Sequence, residues 1–221
     1  PVRAGTSPDY MNGAVLIYPD GSTDEPYGKR QLVPFAESIP FYEHEAVKRF
    51  FREAIGIYGS WVPGTKTVVF DVDGVAFGTP ICFEDAFGYV VRDMANLGAD
   101  LMVNLTNNSW SKQYSAQTQH YQAARLRTIE TRRPLVRGTN SGLTATVDHY
   151  GRLTGAAPMF ESAVFAGSVE IPEPMTTLYM RIGDLLGRLF VAISILLTVL
   201  TTLSHKKREP EMLRFPSSTR A

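Results

Sequence analysis

The order of apolar runs and turn signals predicts an α/β domain built on a mixed sheet, closed by one C-terminal apolar helix. Three observations carry this. Short apolar runs at 14–18, 101–105, 134–137, 143–148 and 163–171 read as strands. Between them, 85–97 and 115–131 show helical periodicity, and strand–helix–strand order is the mark of an α/β sheet. Residues 185–203, LLGRLFVAISILLTVLTTL, are apolar apart from Arg188 and a few hydroxyls.

Taken in order, 14–18 is a buried strand ended by the turn Pro19-Asp20-Gly21. A polar loop holding Lys29 follows, then Leu32-Val33-Pro34-Phe35 and a helix over 44–55. Residues 67–77 alternate around Asp73-Gly74, a two-residue hairpin signal. Pro80-Ile81-Cys82 ends a strand, and a helix starts at Asp85 with Phe87, Val90, Val91, Met94 and Leu97 on one face and Gly98 as its stop. The helix 115–131 stops before Pro134, and the turn His149-Tyr150-Gly151 separates the last two strands.

As a helix, 185–203 is about 28 Å long, matching the hydrocarbon core of a bilayer. Arg188 near its start can snorkel to the interface. The basic run His205-Lys206-Lys207-Arg208 follows at once, which puts that end on the cytoplasmic side and everything before the helix outside. The expected division is a globular domain at 1–180, a transmembrane helix at 185–203 and a cytoplasmic tail at 204–221. The chain opens at Pro1 without an apolar leader and without Met, and a longer parent protein is expected.

Composition narrows the chemistry. The 22 Lys and Arg balance 22 Asp and Glu, so charge gives no case for nucleic acid as a partner. The four histidines are scattered without ligand spacing, and no metal is expected. A single cysteine excludes an internal disulfide. Most lone cysteines are small buried hydrophobes. Cys82 differs in standing at a strand end just before a helix, where unpaired backbone N–H groups favour a thiolate and can receive an oxyanion. Glu84 and Asp85 follow within three residues. Lys29 and Glu37 read by themselves as solvated loop charges, and their use depends on proximity to Cys82. Asn107-Asn108-Ser109-Trp110, after a buried strand, is either a cleft lining at the sheet's carboxyl edge or a polar turn.

Together these segments resemble the apolipoprotein N-acyltransferases of the nitrilase, or carbon–nitrogen hydrolase, superfamily. Residues 27–37, YGKRQLVPFAE, resemble their lysine motif; 80–85, PICFED, their nucleophile motif; and 107–110, NNSW, the asparagine–tryptophan motif after it. Residues 125–140, RLRTIETRRPLVRGTN, are similar to the segment returning to the sheet. The resemblance runs from about residue 14 to about residue 203 and includes the closing membrane helix. It implies an α-β-β-α sandwich, incomplete at its N-terminus, facing the periplasm of the bacterial inner membrane. It implies a ping-pong transfer without a cofactor, from a phospholipid acyl donor through a cysteine thioester to a diacylglyceryl-lipoprotein acceptor. Cys82 is then the nucleophile, Lys29 its triad lysine, and Glu84 and Glu37 the auxiliary glutamates. Phe83, Trp110 and Asn107 border the substrate, and an aromatic stretch (Phe41, Tyr42, Phe50, Phe51, Tyr58, Trp61) is either a membrane-facing arm or core packing.

Two departures qualify the resemblance. The family's general-base glutamate lies well before the lysine motif, whereas the first glutamate here is Glu25. Phe83 stands where the family often has tyrosine. The chain alone is therefore expected to be inactive or nearly so, with an upstream transmembrane portion of the enzyme required. A small-amide amidase of the same superfamily and a non-catalytic membrane-anchored remnant are the alternatives.

Overall fold

A computed structural model describes residues 2–3, 10–55 and 61–212, with side chains over 10–54 and 61–204. The predicted Tyr58 of the aromatic stretch, and the tail beyond 212, lie outside the described residues. The chain divides into two compact units, Pro1–Arg181 and Ile182–Ala221.

In the first unit, short antiparallel pairs join β1 (Val2–Arg3) to β2 (Tyr10–Met11) and β3 (Gly13–Ala14) to β4 (Tyr27–Gly28). The predicted strand 14–18 is reduced to its first residue. Beyond it only Ile17 pairs, with Thr23, and Ile17 is exposed. The predicted helix 44–55 forms as α1 (Glu45–Phe50), which relaxes into a π-helical turn at Phe51–Ile55.

The main sheet begins with the hairpin β5 (Val69–Val72) and β6 (Val75–Gly78). Asp73 and Gly74 both have positive φ, 55° and 81°, the type I′ turn that an Asp-Gly pair favours because its twist matches that of the strands. A 3₁₀ turn, Cys82–Ala86, leads into α2 (Gly88–Asn96), then β7 (Leu101–Thr106), α3 (Tyr114–Thr131), β8 (Leu135–Thr139), β9 (Ala145–Val147) and β10 (Leu153–Ala156). The strand order is β10-β9-β8-β7-β6-β5. The central β6–β7 and β7–β8 pairs are parallel and the outer pairs antiparallel, so the sheet is mixed as predicted. Val90, Val91 and Met94 of α2 are buried in the core with Phe70, Met102 and Leu135.

Three predicted details change. The second helix starts at Gly88 instead of Asp85, because the Glu84 carboxylate binds the N–H of Ile81 and the preceding residues tighten into the 3₁₀ turn. Leu97 is 58% exposed, beyond the end of the helix face it was assigned to. Residues 163–171 form no strand. The partner of β9 after the turn is β10, and the Phe165 ring instead covers Gly155 and Gly167.

The lysine-bearing segment is seated by a backbone contact. Gly64 donates its N–H to the Lys29 carbonyl at 2.7 Å. A Cβ on Gly64 would run into the Gly28 carbonyl, which is backbone and cannot swing away. Gly64→Ala therefore destabilises the first unit by about 1–3 kcal/mol, read as a lowered unfolding midpoint in detergent.

After the short helix α4 (Leu178–Ile182), the second unit carries α5 (Leu185–Met212), of which Leu185–Ser204 is long and apolar enough to cross a membrane. Its apolar side chains are exposed along this stretch, with none of it buried within the protein.

Candidate active site

Cys82 sits where β6 runs out. Ile81 still pairs with Leu105 in parallel fashion, which puts the cysteine beside the carboxyl end of β7. Its own φ is 53°, a left-handed conformation costing a non-glycine residue about 1–2 kcal/mol. The thiol is free and partly exposed. Such strain persists only where surrounding structure holds it. Three clusters make up the candidate site.

The first is Glu84, fully buried. Its carboxylate accepts the N–H groups of Ile81, Arg30 and Gln31 at 2.7–2.9 Å and the Tyr27 hydroxyl at 3.0–3.1 Å. One side chain thus ties the Cys82 turn to both flanks of Lys29. Burial pushes the Glu84 carboxyl above its ordinary 4.5, opposed by the hydrogen bonds from Gln31, Ile81 and Arg30. Burial and the nearby Glu84 charge push the Tyr27 hydroxyl up as well. Between the unfolded and the raised folded value, the native state binds the extra proton, so this group's contribution to stability falls as pH rises from about 4.5. Glu84→Gln removes that slope, and urea titrations of both proteins between pH 4.5 and 7 measure the difference.

The second is the Lys29–Glu37 pair. Lys29 is fully buried, and its Nζ reaches the two Glu37 oxygens at 2.7 and 2.6 Å. Glu37 also accepts the Val33 N–H and the Asn12 amide, so the carboxylate is itself held in place. Glu25 lies elsewhere, in an exposed pair with Lys66.

The third lies under the Cys82 turn. Asp85 accepts from Arg137 Nε at 3.0 Å and meets His120 Nε2 at 2.6 Å; Arg137 donates a further N–H to His120 Nδ1 at 3.1 Å. The guanidinium has only donors, so Nδ1 accepts and Nε2 carries the proton given to Asp85. All three residues are buried. The Phe83 ring lies 4.8 Å from that of His120 and 5.9 Å from that of Phe87. His120 lies in none of the quoted motifs, and Arg137 lies in the 125–140 segment without a role assigned to it there. The available signal was the spacing 117, 120, 121, 124, 128 on α3, a mostly polar stripe on a buried face.

The NNSW loop divides by residue. Asn107 is exposed and accepts the Ser109 N–H in an Asx turn, while Asn108 is buried and donates to Gln117 at 2.6 Å. Trp110 is 71% exposed. Beside this loop, at the carboxyl ends of β7 and β8, Ser109, Lys112, Tyr114, Asn140, Phe160 and Glu161 help line a cavity of about 550 Å³. In the aromatic stretch Phe41 and Phe50 are exposed and α1 buries no residue, so core packing does not account for them.

The carbon-nitrogen hydrolase family profile matches residues 1–173. The chain belongs to the carbon-nitrogen hydrolase family. Among relatives, it is 39% identical over 209 residues to apolipoprotein N-acyltransferase 2 of Treponema denticola, covering 92% of this chain and 39% of that protein. It is 35% identical to the apolipoprotein N-acyltransferase of Borreliella burgdorferi, covering 94% and 39% of the two chains. Against that of Geobacter metallireducens the identity is 33%, covering 83% and 34%. The chain thus spans about two fifths of the length of the curated relatives it matches. The fold is similar to that of Saccharomyces cerevisiae Nit3, a member of branch 10 of the nitrilase superfamily, with a TM-score of 0.51 at 18% identity over 69% of this chain and 51% of that one. The nitrilase fold expected from the sequence is therefore present, as a carbon-nitrogen hydrolase sheet followed by one apolar helix.

Proposed function

We propose that this carbon-nitrogen hydrolase chain is the catalytic part of an apolipoprotein N-acyltransferase. The observation that carries the reading is the single carboxylate of Glu84, which binds the Cys82 turn and the Lys29 segment at once. The relatives named for this activity support it. Cys82 attacks the ester carbonyl of a phospholipid. A carbon–sulfur bond forms, the ester C–O bond breaks, and the thiol proton leaves on the lysophospholipid hydroxyl. The α-amino group of a diacylglyceryl-cysteine then attacks the thioester, forming the amide and returning a proton to the thiol. Lys29 stabilises the thiolate and the tetrahedral oxyanion, with Glu37 holding its ammonium. Glu84 keeps the two motifs in register. Phe83 and Trp110 border the acyl chain, Asn107 shapes the loop beside them, and Phe41 and Phe50 face the bilayer. No metal or nucleotide is needed, because a thioester stores the acyl group by itself.

In this reading α5 crosses the bacterial inner membrane, with residues 205–208 cytoplasmic and the catalytic unit on the periplasmic side. The proton-accepting glutamate comes from an upstream portion of the enzyme, since residues 1–24 contain none.

The test is hydroxylamine-labile label on Cys82 from a phospholipid with a labelled acyl chain, run on this chain alone and on the protein carrying its upstream segment. Label on the longer form only, abolished by Cys82→Ala, is the expected result. No label on either form, or ammonia release from small amides instead, overturns it.

A further inference from the structure

Asn104, on β7, is fully buried directly beneath the nucleophile. Its Nδ2 donates to the Pro80 carbonyl at 2.8 Å and to the Cys82 carbonyl at 3.0 Å. Both partners are acceptors, so the amide has one orientation, with its NH₂ toward the turn. Its Oδ1 is buried with no hydrogen-bond partner among the described residues. A buried oxygen left bare opposes folding, and an apolar residue of the same shape avoids that cost. What the amide supplies in return is two donors at the point where two carbonyls converge.

Those two bonds fix more than the carbonyls. A peptide group is planar, and a trans peptide directs its C=O and N–H to opposite sides. No cis peptide bond occurs among the described residues. Because the Cys82 carbonyl is pinned toward Asn104, the Phe83 N–H is turned away from β7. The same anchor holds Cys82 at its φ of 53°. We propose that Asn104 is a positioning residue that aims the Phe83 N–H as an oxyanion donor during acylation of Cys82. This rests on the acyl-transfer reading above, in which a tetrahedral oxyanion forms on the carbon attacked by sulfur. What it adds is the side chain that sets that donor's direction.

This chain has a single cysteine, and in the longer protein a Cys82→Ala control subtracts reaction at any other thiol. Two probes separate the roles. Iodoacetamide alkylates sulfur by displacement and forms no oxyanion, whereas p-nitrophenyl butyrate acylates it through a tetrahedral intermediate. In the protein carrying its upstream segment, Asn104→Leu keeps the branched heavy-atom shape, with bulkier methyl groups, and removes both bonds. The expected result is acylation slowed about 100-fold or more in kcat, the cost of losing one oxyanion donor, with KM and the alkylation rate within a few-fold of wild type. Asn104→Ser, which keeps one hydroxyl donor, falls between the two and serves if the leucine variant does not fold. Equal slowing of alkylation and acylation in the folded variant would mean that Asn104 merely supports the turn and would overturn the proposal, as would acylation at the wild-type rate. A parallel arm uses labelled phospholipid on the wild type. Ester acylation that depends on Asn104 without any transfer from phospholipid would leave the oxyanion assignment standing and sink the substrate assignment.

Discussion

Lys29→Met is expected to reduce thioester formation on Cys82 about 100-fold or more in the protein carrying its upstream segment, because in the proposed mechanism it removes the cation that stabilises the developing negative charge. It also takes from Glu37 its buried lysine partner. That carboxylate keeps the Val33 N–H and the Asn12 amide but loses both short contacts to Nζ. Breaking a buried pair from one side costs about 3–5 kcal/mol, and the 14% exposure of Glu37 places this case toward the lower end. The double variant Lys29→Met/Glu37→Gln separates the two effects. It recovers most of the stability, since no charge is left unpaired, and recovers none of the acylation. Denaturant midpoints and hydroxylamine-labile label, measured on the same preparations, check both halves. Full acylation by the double variant would remove Lys29 from the mechanism.

Asp85→Ala is the second large effect and acts mainly on folding. The Arg137 guanidinium would remain fully buried with its anion gone, and His120 would lose the acceptor of its Nε2 proton. The expected loss is about 3–5 kcal/mol, a large share of the 5–15 kcal/mol that holds a typical domain together. Asp85→Asn is milder, since the amide oxygen still accepts from one partner. Thermal unfolding followed in detergent distinguishes the two substitutions, and near-equal midpoints for Asp85→Ala and wild type would refute the buried network as a source of stability.

The parts of this protein that were legible in the sequence are those encoded locally. Asp73-Gly74 writes its turn in two residues, and Val90, Val91 and Met94 write a helix face in one turn and a half. The motif residues Lys29, Glu37, Cys82 and Glu84 were named as a set, and the structure joins them through Glu37 on Lys29 and through Glu84 between both segments. What escaped depends on partners distant in the chain. Asp85, His120 and Arg137 come from the 3₁₀ turn, α3 and β8, separated by 35 and 17 residues, and no local pattern announces that they meet. In the NNSW loop the sequence does not separate neighbours, and the buried, doubly bonded asparagine is Asn108 while Asn107 faces solvent. The apolar stretch 163–171 has the composition of a strand but joins no ladder, and Leu153–Ala156 pairs with β9 in its place.

The buried face of α3 has a consequence for how the domain assembles. A helix seated on oily side chains can slip by a turn and still be wetted by hydrocarbon, so its seat is broad. Here two successive turns are keyed: Gln117 locks to the Asn108 and Ser111 carbonyls, and His120 locks to Asp85 and Arg137. A slip of one turn breaks every one of these bonds in a place without solvent to replace them. The helix therefore has a single admissible seating, and the Cys82–Ala86 turn inherits its position from that lock.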